Sequence, residues 1–167
     1  TIGTLEGDAI PHIANIEPQK RKQILTNLKF KEDTEAIEAY SSSDLKYRLR
    51  KTQNKLAVWR QPSTLNVRDR YVVIFDPQRG ITDNADWGVI VVIDRMPMMS
   101  GEPPEVVAQF RGHIDKDISI WIAAQIAKYY NDALLVIESN TYDSDVKDDD
   151  AELIFETIKS HYSNLYT

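Results

Sequence analysis

The sequence contains no cysteine, which excludes a disulfide framework and any metal site built on thiolates. This absence is typical of proteins in a reducing compartment. The glycine-rich motif GxxxxGK(S/T) is also missing, so the chain has no P-loop site for ATP. No apolar run is long enough to span a membrane, and no membrane partner is expected. Histidine is scarce, and the three present, His12, His113 and His161, show no metal-ligand spacing.

Acidic residues outnumber basic ones, and the excess lies in one part of the chain. The 167 residues carry a formal net charge of −6. Residues 1–70 hold 13 Lys and Arg against 9 Asp and Glu, whereas residues 71–167 hold 7 against 17. This balance argues mildly against a nucleic-acid partner. Carboxylates that hold divalent cations, however, reverse the local field.

Residues 1–65 are predicted to form a helical lead-in or linker. Pro18 can open a helix that runs to about residue 30, and a second helix covers 34–40. Ser43 has the side chain of an N-cap for a third helix, which ends before Pro62. That third helix carries five basic residues: Lys46, Arg48, Arg50, Lys51 and Lys55. We interpret them as a solvated helix face, with phosphate contact as the alternative.

Residues 66–167 are predicted to form the main domain, an α/β fold. Four short apolar runs predict strands at 71–75, 88–93, 105–111 and 133–137. Asp115 and Asp117 favour a helix start between the last two strands, and a final helix covers 151–161. In the third strand, alternation places Val106, Ala108 and Phe110 on one face, and Val107, Gln109 and Arg111 on the other.

The order of these elements predicts a mixed sheet. Three strands in close succession favour an antiparallel meander, and the helical crossover then brings a parallel strand alongside. A ribonuclease H-like core begins in this order: three-strand meander, helix, parallel strand, helix. The length and the hydrophobic fraction of 42% are sufficient for one such core.

Two carboxylates follow apolar strands at the carboxyl end. Asp76 comes directly after the first predicted strand and Glu138 after the fourth. That edge is where sites form in open α/β sheets. If the two strands are neighbours, the acids repel each other unless a cation intervenes, and hard oxygen ligands select magnesium or manganese. The alternative is that each acid marks the point where a buried strand meets water.

Other acidic residues are weaker candidates. Asp86 lies just before the second strand, across the hairpin from Asp76, and can also be read as a turn residue. The run that contains Asp143, Asp145 and Asp148 lacks the glycine and the spacing of an EF-hand. We interpret that run as a solvated loop and helix start.

Several segments together resemble the nuclease domain of phage large terminase subunits. They are YVVIFD at 71–76 with Gly80 and ADW at 85–87, VVAQFRGHID at 106–115, AQIAKYYNDALLVIESN at 124–140, and YSNLY at 162–166. Upstream, RKTQ at 50–53 and LAVW at 56–59 resemble the segment that precedes this domain. The resemblance covers about residues 40–167.

The resemblance implies a metal-dependent endonuclease that cuts concatemeric double-stranded phage DNA in the host cytoplasm. It implies two Mg²⁺ or Mn²⁺ ions, with Asp76 bridging both, Glu138 holding one and Asp86 as a ligand or outer partner. Further implied partners are a terminase ATPase domain, the portal and a small terminase subunit. Two alternatives stay open: another ribonuclease H-like enzyme of the resolvase or transposase type, and a catalytically inactive interaction module of the same fold.

One part of the family pattern is not met. In the family a third carboxylate follows the Asn-Leu-Tyr landmark on a closing helix, whereas this chain ends at Thr167. The resemblance therefore implies a fragment without the closing strand and helix. We expect little or no cleavage by these residues alone. We also expect uncovered apolar surface near Leu153, Ile154 and Ile158.

Overall fold

A computed structural model describes residues 1–14, 18–77, 87–138 and 148–166, without the side chains of 13, 14 and 148–154. Its centre is an eight-stranded mixed sheet in the order β2-β1-β3-β6-β5-β4-β7-β8. The strands are β1 Ile2–Glu6, β2 Lys29–Glu32, β3 Lys55–Val58, β4 Tyr71–Asp76, β5 Gly88–Asp94, β6 Glu105–Gly112, β7 Leu134–Ile137 and β8 Leu165–Tyr166. The α-helices are α1 Pro11–Ala14, α2 Arg21–Ile24, α3 Thr34–Tyr40, α4 Leu45–Thr52, α5 Lys116–Tyr129 and α6 Asp148–His161. Short 3₁₀ helices cover Pro18–Lys20 and Met96–Ser100.

The predicted meander and crossover are present. Strand β5 pairs antiparallel with β4 on one side and with β6 on the other. Helix α5 follows β6, and the side chain of its N-cap, Asp115, accepts a hydrogen bond from the backbone N–H of Asp117. Strand β7 then pairs parallel to β4. The α/β class and the mixed sheet predicted from the sequence are therefore confirmed.

One face of the sheet, here called the core face, forms the main hydrophobic core. Alternation along β4 buries Tyr71, Val73 and Phe75, and the same period buries Ile90 and Val92 on β5. The largely apolar helix α5 packs in the same core cluster, to which α6 contributes Ile158. The opposite side is here called the outer face, and Ile74 there is 39% exposed.

The prediction of a helical lead-in over 1–65 is wrong in its secondary structure. Strand β1 pairs with β2 and β3, and β3 pairs with β6, so this segment extends the main sheet. The first predicted helix ends at Ile24 and the third at Thr52. The N-cap of α4 is Asp44 and not Ser43, since its side chain accepts the hydrogen bond from the backbone N–H of Tyr47.

The strict alternation predicted for β6 is interrupted by a bulge. Val92 pairs with Ala108 and Ile93 pairs with Val106, so Val107 is an extra residue in the ladder. Val107 and Ala108 are consequently both buried, while Val106 is 52% exposed. The Val107 carbonyl accepts hydrogen bonds from the backbone N–H groups that follow β3.

Two expectations about the C-terminal part are also wrong. A strand does follow α6, because β8 pairs parallel to β7. Ile158, which we expected near uncovered surface, is fully buried. The side chains of Leu153 and Ile154 lie outside the described part of the chain. Among the described residues, no helix is both long and apolar enough to cross a membrane.

Candidate functional site

The two predicted carboxylates lie on neighbouring central strands. Asp76 is the last residue of β4, and Glu138 directly follows β7. The parallel register pairs Phe75 with Ile137, and the backbone N–H of Glu138 donates to the Phe75 carbonyl at 3.0 Å. One further step in this register places Asp76 beside Glu138. The first and fourth strands of the domain are therefore neighbours, which is the condition under which the two acids lie side by side.

Both carboxylates belong to the outer face of the sheet. Phe75 and Ile137 point into the core. The pairing continues one residue further through the Glu138 N–H, so Asp76 and Glu138 point to the opposite face. Asp76 and Glu138 are indeed both exposed. Adjacent strands lie about 4.8 Å apart, which lets two such side chains reach one ion. We call these two residues the carboxylate pair.

The carboxylate pair has the chemistry of a divalent-cation site. Its side chains offer hard oxygen atoms, which suit Mg²⁺ or Mn²⁺, and solvent would complete the six ligands of such an ion. Among the described residues, no group of three or more His, Asp or Glu side chains comes together. Asp86, the third predicted ligand, lies outside the described ranges, as do Asp143 and Asp145. Their roles stay predictions.

Basic residues share the cross-strand row of the carboxylate pair. Asp76 on β4 pairs with Val89 on β5, which pairs with Arg111 on β6. Arg111 in turn pairs with Lys55 on β3. Side chains at paired positions share a face, so the row carries acids at one end and cations at the other, all on the outer face.

The cationic end of this row opens into a cleft beside α4. The cleft has a volume of about 500 Å³. Its basic lining residues are Arg48 on α4, Lys55 and Arg111. We call this cleft, with its three basic residues, the cation cleft. No carboxylate lines it among the residues that the structure describes. The exposed ring of Trp59 forms part of the wall.

Arg111 is held by an aromatic neighbour. Its guanidinium lies 4.7 Å from the ring centroid of Trp87, a cation–π geometry. The Trp87 ring packs in turn against His113, with centroids 3.8 Å apart. Nδ1 of His113 is buried without a hydrogen-bond partner in the described part of the chain. The sequence places Arg111 on a strand but indicates no function for it, because residues 105–111 contain no other Lys or Arg.

A second charged pair, Arg70 and Asp94, lies at the other end of strands β4 and β5 and has a structural role. Asp94 at the end of β5 is fully buried and accepts two hydrogen bonds of 2.9 Å from the Arg70 guanidinium. Hydrogen bonding to Arg70 holds the pKa of Asp94 below its usual range and raises the pKa of Arg70. Asp94 also accepts from the backbone N–H of Met96. These bonds join the segment that enters β4 to the segment that leaves β5, at one end of the β4–β5 pair.

An apolar cavity of about 590 Å³ lies on the other side of the sheet, between β1 and α5. Leu5, Phe110 and Ile122 are among its walls. Oδ1 of Asn54, another lining residue, is buried and has no hydrogen-bond partner among the described residues. This cavity faces the core side of the sheet and is separate from the carboxylate pair.

Comparison with models of known protein families gives no match, and comparison with curated proteins gives no significant match.

Proposed function

We propose that the chain is a metal-dependent endonuclease domain with a ribonuclease H-like core, of the kind found in phage terminases, and that it hydrolyses phosphodiester bonds in double-stranded DNA. The observation that carries the proposal is the carboxylate pair at the carboxyl end of two parallel, adjacent strands. A buried strand can end in an acid by chance. Two acids in one register, on one face, are better explained by a shared ligand.

The sheet order supports the proposal. Strands β4 to β8 stand in the order β6-β5-β4-β7-β8, a meander followed by two parallel strands on the other side of β4. This is the arrangement expected for a ribonuclease H-like core, in which the first strand is central and carries an acid. Strands β1 to β3 extend the sheet beyond that core.

Asp76 and Glu138 would hold Mg²⁺ or Mn²⁺, with Asp86 as a further ligand of the same site. When bound, the metal supplies an activated water and neutralises charge on the leaving oxygen. Asp76 ends β4 and Glu138 directly follows β7, so the pairing of the two strands fixes the separation of their backbones. Placement on strands is more accurate than placement on loops.

Calorimetric titration of the protein with Mn²⁺ tests the site directly. We expect binding that is lost in Asp76→Ala and strongly weakened in Glu138→Ala. The matched control is Glu102→Gln, an exposed acid before β6, which should bind Mn²⁺ like the parent. Equal binding by the parent and Asp76→Ala would contradict the proposal.

Nicking of a supercoiled plasmid in Mn²⁺ tests the reaction. The assay is run on these 167 residues and on a longer chain that contains them, because the resemblance to terminases implies a further carboxylate besides Asp76, Glu138 and Asp86. Asp76→Ala should abolish nicking wherever the parent cuts. Preference for branched junctions over linear duplex would favour the resolvase-type alternative, which shares the metal pair. If neither the 167 residues nor the longer chain binds Mn²⁺, the alternative of an inactive interaction module is favoured.

A further inference from the structure

We propose that the outer face of the sheet binds one strand of a DNA duplex along the cross-strand row, with one phosphate at the carboxylate pair and neighbouring phosphates in the cation cleft. This inference rests on the proposed function, which it deepens by naming the path of the substrate. The path follows from strand register, because Asp76, Val89, Arg111 and Lys55 occupy successive positions across four strands.

The spacing along the row fits a nucleic-acid backbone. Two strand intervals separate Asp76 from Arg111, about 10 Å at ~4.8 Å each, and Lys55 lies one interval further. One strand of a duplex presents a phosphate about every 3.4 Å along the helix axis. Because that strand also winds around the axis, neighbouring phosphates lie farther apart than this rise. A backbone that has one phosphate at the carboxylate pair therefore brings a phosphate only about one or two nucleotides away to the cation cleft.

The distribution of charge favours an anionic partner at this cleft. The protein has a net charge of −6, yet three cations converge on a concave surface without a carboxylate among the described lining residues. Lys55 pairs with Asp33 at 3.2 Å, so part of its charge is compensated. Arg48 and Arg111 make no ion pair with a described carboxylate and supply most of the free positive charge.

Arginine suits this task because its planar guanidinium binds phosphate oxygens through two donors at once. Stacking on Trp87 holds the Arg111 guanidinium beside the row and reduces the entropy that binding must remove. The exposed side chains of Tyr40, Leu45 and Trp59 also line the cleft. The cleft lies at one end of the row whose other end is the carboxylate pair, which suits an extended polyanion.

Fluorescence anisotropy with a short labelled DNA duplex tests the path. EDTA is present throughout, so that neither cleavage nor metal binding contributes. Salt is varied between about 50 and 200 mM, because the slope of log affinity against log salt counts phosphate contacts at about 0.9 each. We expect Arg111→Gln to reduce the slope by about one. The triple variant Arg48→Gln, Lys55→Gln, Arg111→Gln should reduce it by two to three and weaken binding at least tenfold at low salt.

Two controls keep the test specific. Arg68→Gln removes an arginine whose side chain is 96% exposed at the opposite edge of the sheet, and it should leave affinity and slope unchanged. Arg111→Lys retains the charge and should retain the slope, which separates phosphate contact from loss of folding. Circular dichroism melting checks each variant. Parental binding by the triple variant, or an equal loss in Arg68→Gln, would overturn the proposal.

The two proposals fail in different ways. Asp76→Asn and Glu138→Gln remove metal binding but should leave binding in EDTA unchanged or slightly tighter, since they remove negative charge. If these variants keep Mn²⁺ affinity while the cleft variants lose DNA, the endonuclease function is wrong and the DNA surface stands. If the cleft variants bind DNA like the parent while Asp76→Asn loses Mn²⁺, the path is wrong and the metal site stands.

Discussion

Replacement of Asp94 by alanine removes one partner of a buried ion pair and leaves the other behind. The carboxylate is fully buried and accepts three hydrogen bonds of 2.9 Å, two from Arg70 and one from the Met96 backbone. Removal of one partner from such a pair costs about 3 to 5 kcal/mol. The Arg70 side chain is 14% exposed and can regain some hydration, so we expect the lower end, about 3 kcal/mol.

Chemical denaturation followed by tryptophan fluorescence measures this cost. For a chain of this length, about 3 kcal/mol corresponds to a fall in Tm of roughly 6 to 12 °C in calorimetry. The control is Glu105→Gln, which breaks the Arg60–Glu105 pair. That pair also spans 2.9 Å, but its side chains are 57% and 47% exposed. Its loss should cost less than about 1 kcal/mol.

The pH dependence of stability provides a second measurement on the same pair. The pKa of Asp94 is lower in the folded protein than in the unfolded chain because Arg70 stabilises the ionised form. The unfolded state therefore binds the proton more readily. The contribution of the pair is fully present above the unfolded pKa of about 3.9 and is lost as the pH falls through the folded value. The stability difference between the parent and Asp94→Ala should accordingly shrink in acid.

A double-mutant cycle decides whether the charge is the cause. If an orphaned charge explains the cost, Arg70→Met combined with Asp94→Leu should recover much of the stability that either single change loses. An Asp94→Ala variant within about 0.5 kcal/mol of the parent would refute the reasoning. So would a loss that is the same at neutral and acidic pH.

Two further substitutions test packing at other positions. Tyr162→Phe should lower the free energy of unfolding by about 1 to 3 kcal/mol in urea denaturation. The buried Tyr162 hydroxyl donates to the Ala133 carbonyl, which would lose its partner. An unchanged midpoint would contradict this. Gly3→Ala should separate β1 from β2 and cost at least about 1 to 3 kcal/mol, because the added Cβ would lie 2.0 Å from the backbone oxygen of Lys31. Gly101→Ala is its control: it meets open space at a φ of 78° and should cost only about 1 to 2 kcal/mol.

The central strands could be predicted because their signal is local. Strands β4, β5 and β7 are apolar runs rich in β-branched residues, and they fold where the pattern predicts. Strand β2, with the sequence KFKE, has no such pattern. Strand β3 pairs with β6, and β1 pairs with β3. The other side of β1 is then available for pairing, and β2 forms there. A strand stabilised mainly by its neighbours leaves little trace in its own residues.

The carboxylates could be found from the sequence because each follows a recognisable strand. Asp76 and Glu138 needed only one assumption, that their strands are neighbours. The cations of the proposed DNA surface needed more. The sequence pattern predicts a helix for Lys55, which lies on β3, and it assigns Arg111 to a strand face without indicating a function for it.

The amino-acid sequence alone determined the α/β class, the order of the central elements and the two acids at strand ends. Hydrophobic period and strand-end position are properties of a few consecutive residues. Only the tertiary structure decided which residues share a row. Lys55, Arg111 and Asp76 come together through the β3–β6, β6–β5 and β5–β4 registers, one of which includes a bulge. Register depends on side-chain packing across the whole sheet, and a shift of one residue would move each side chain to the other face.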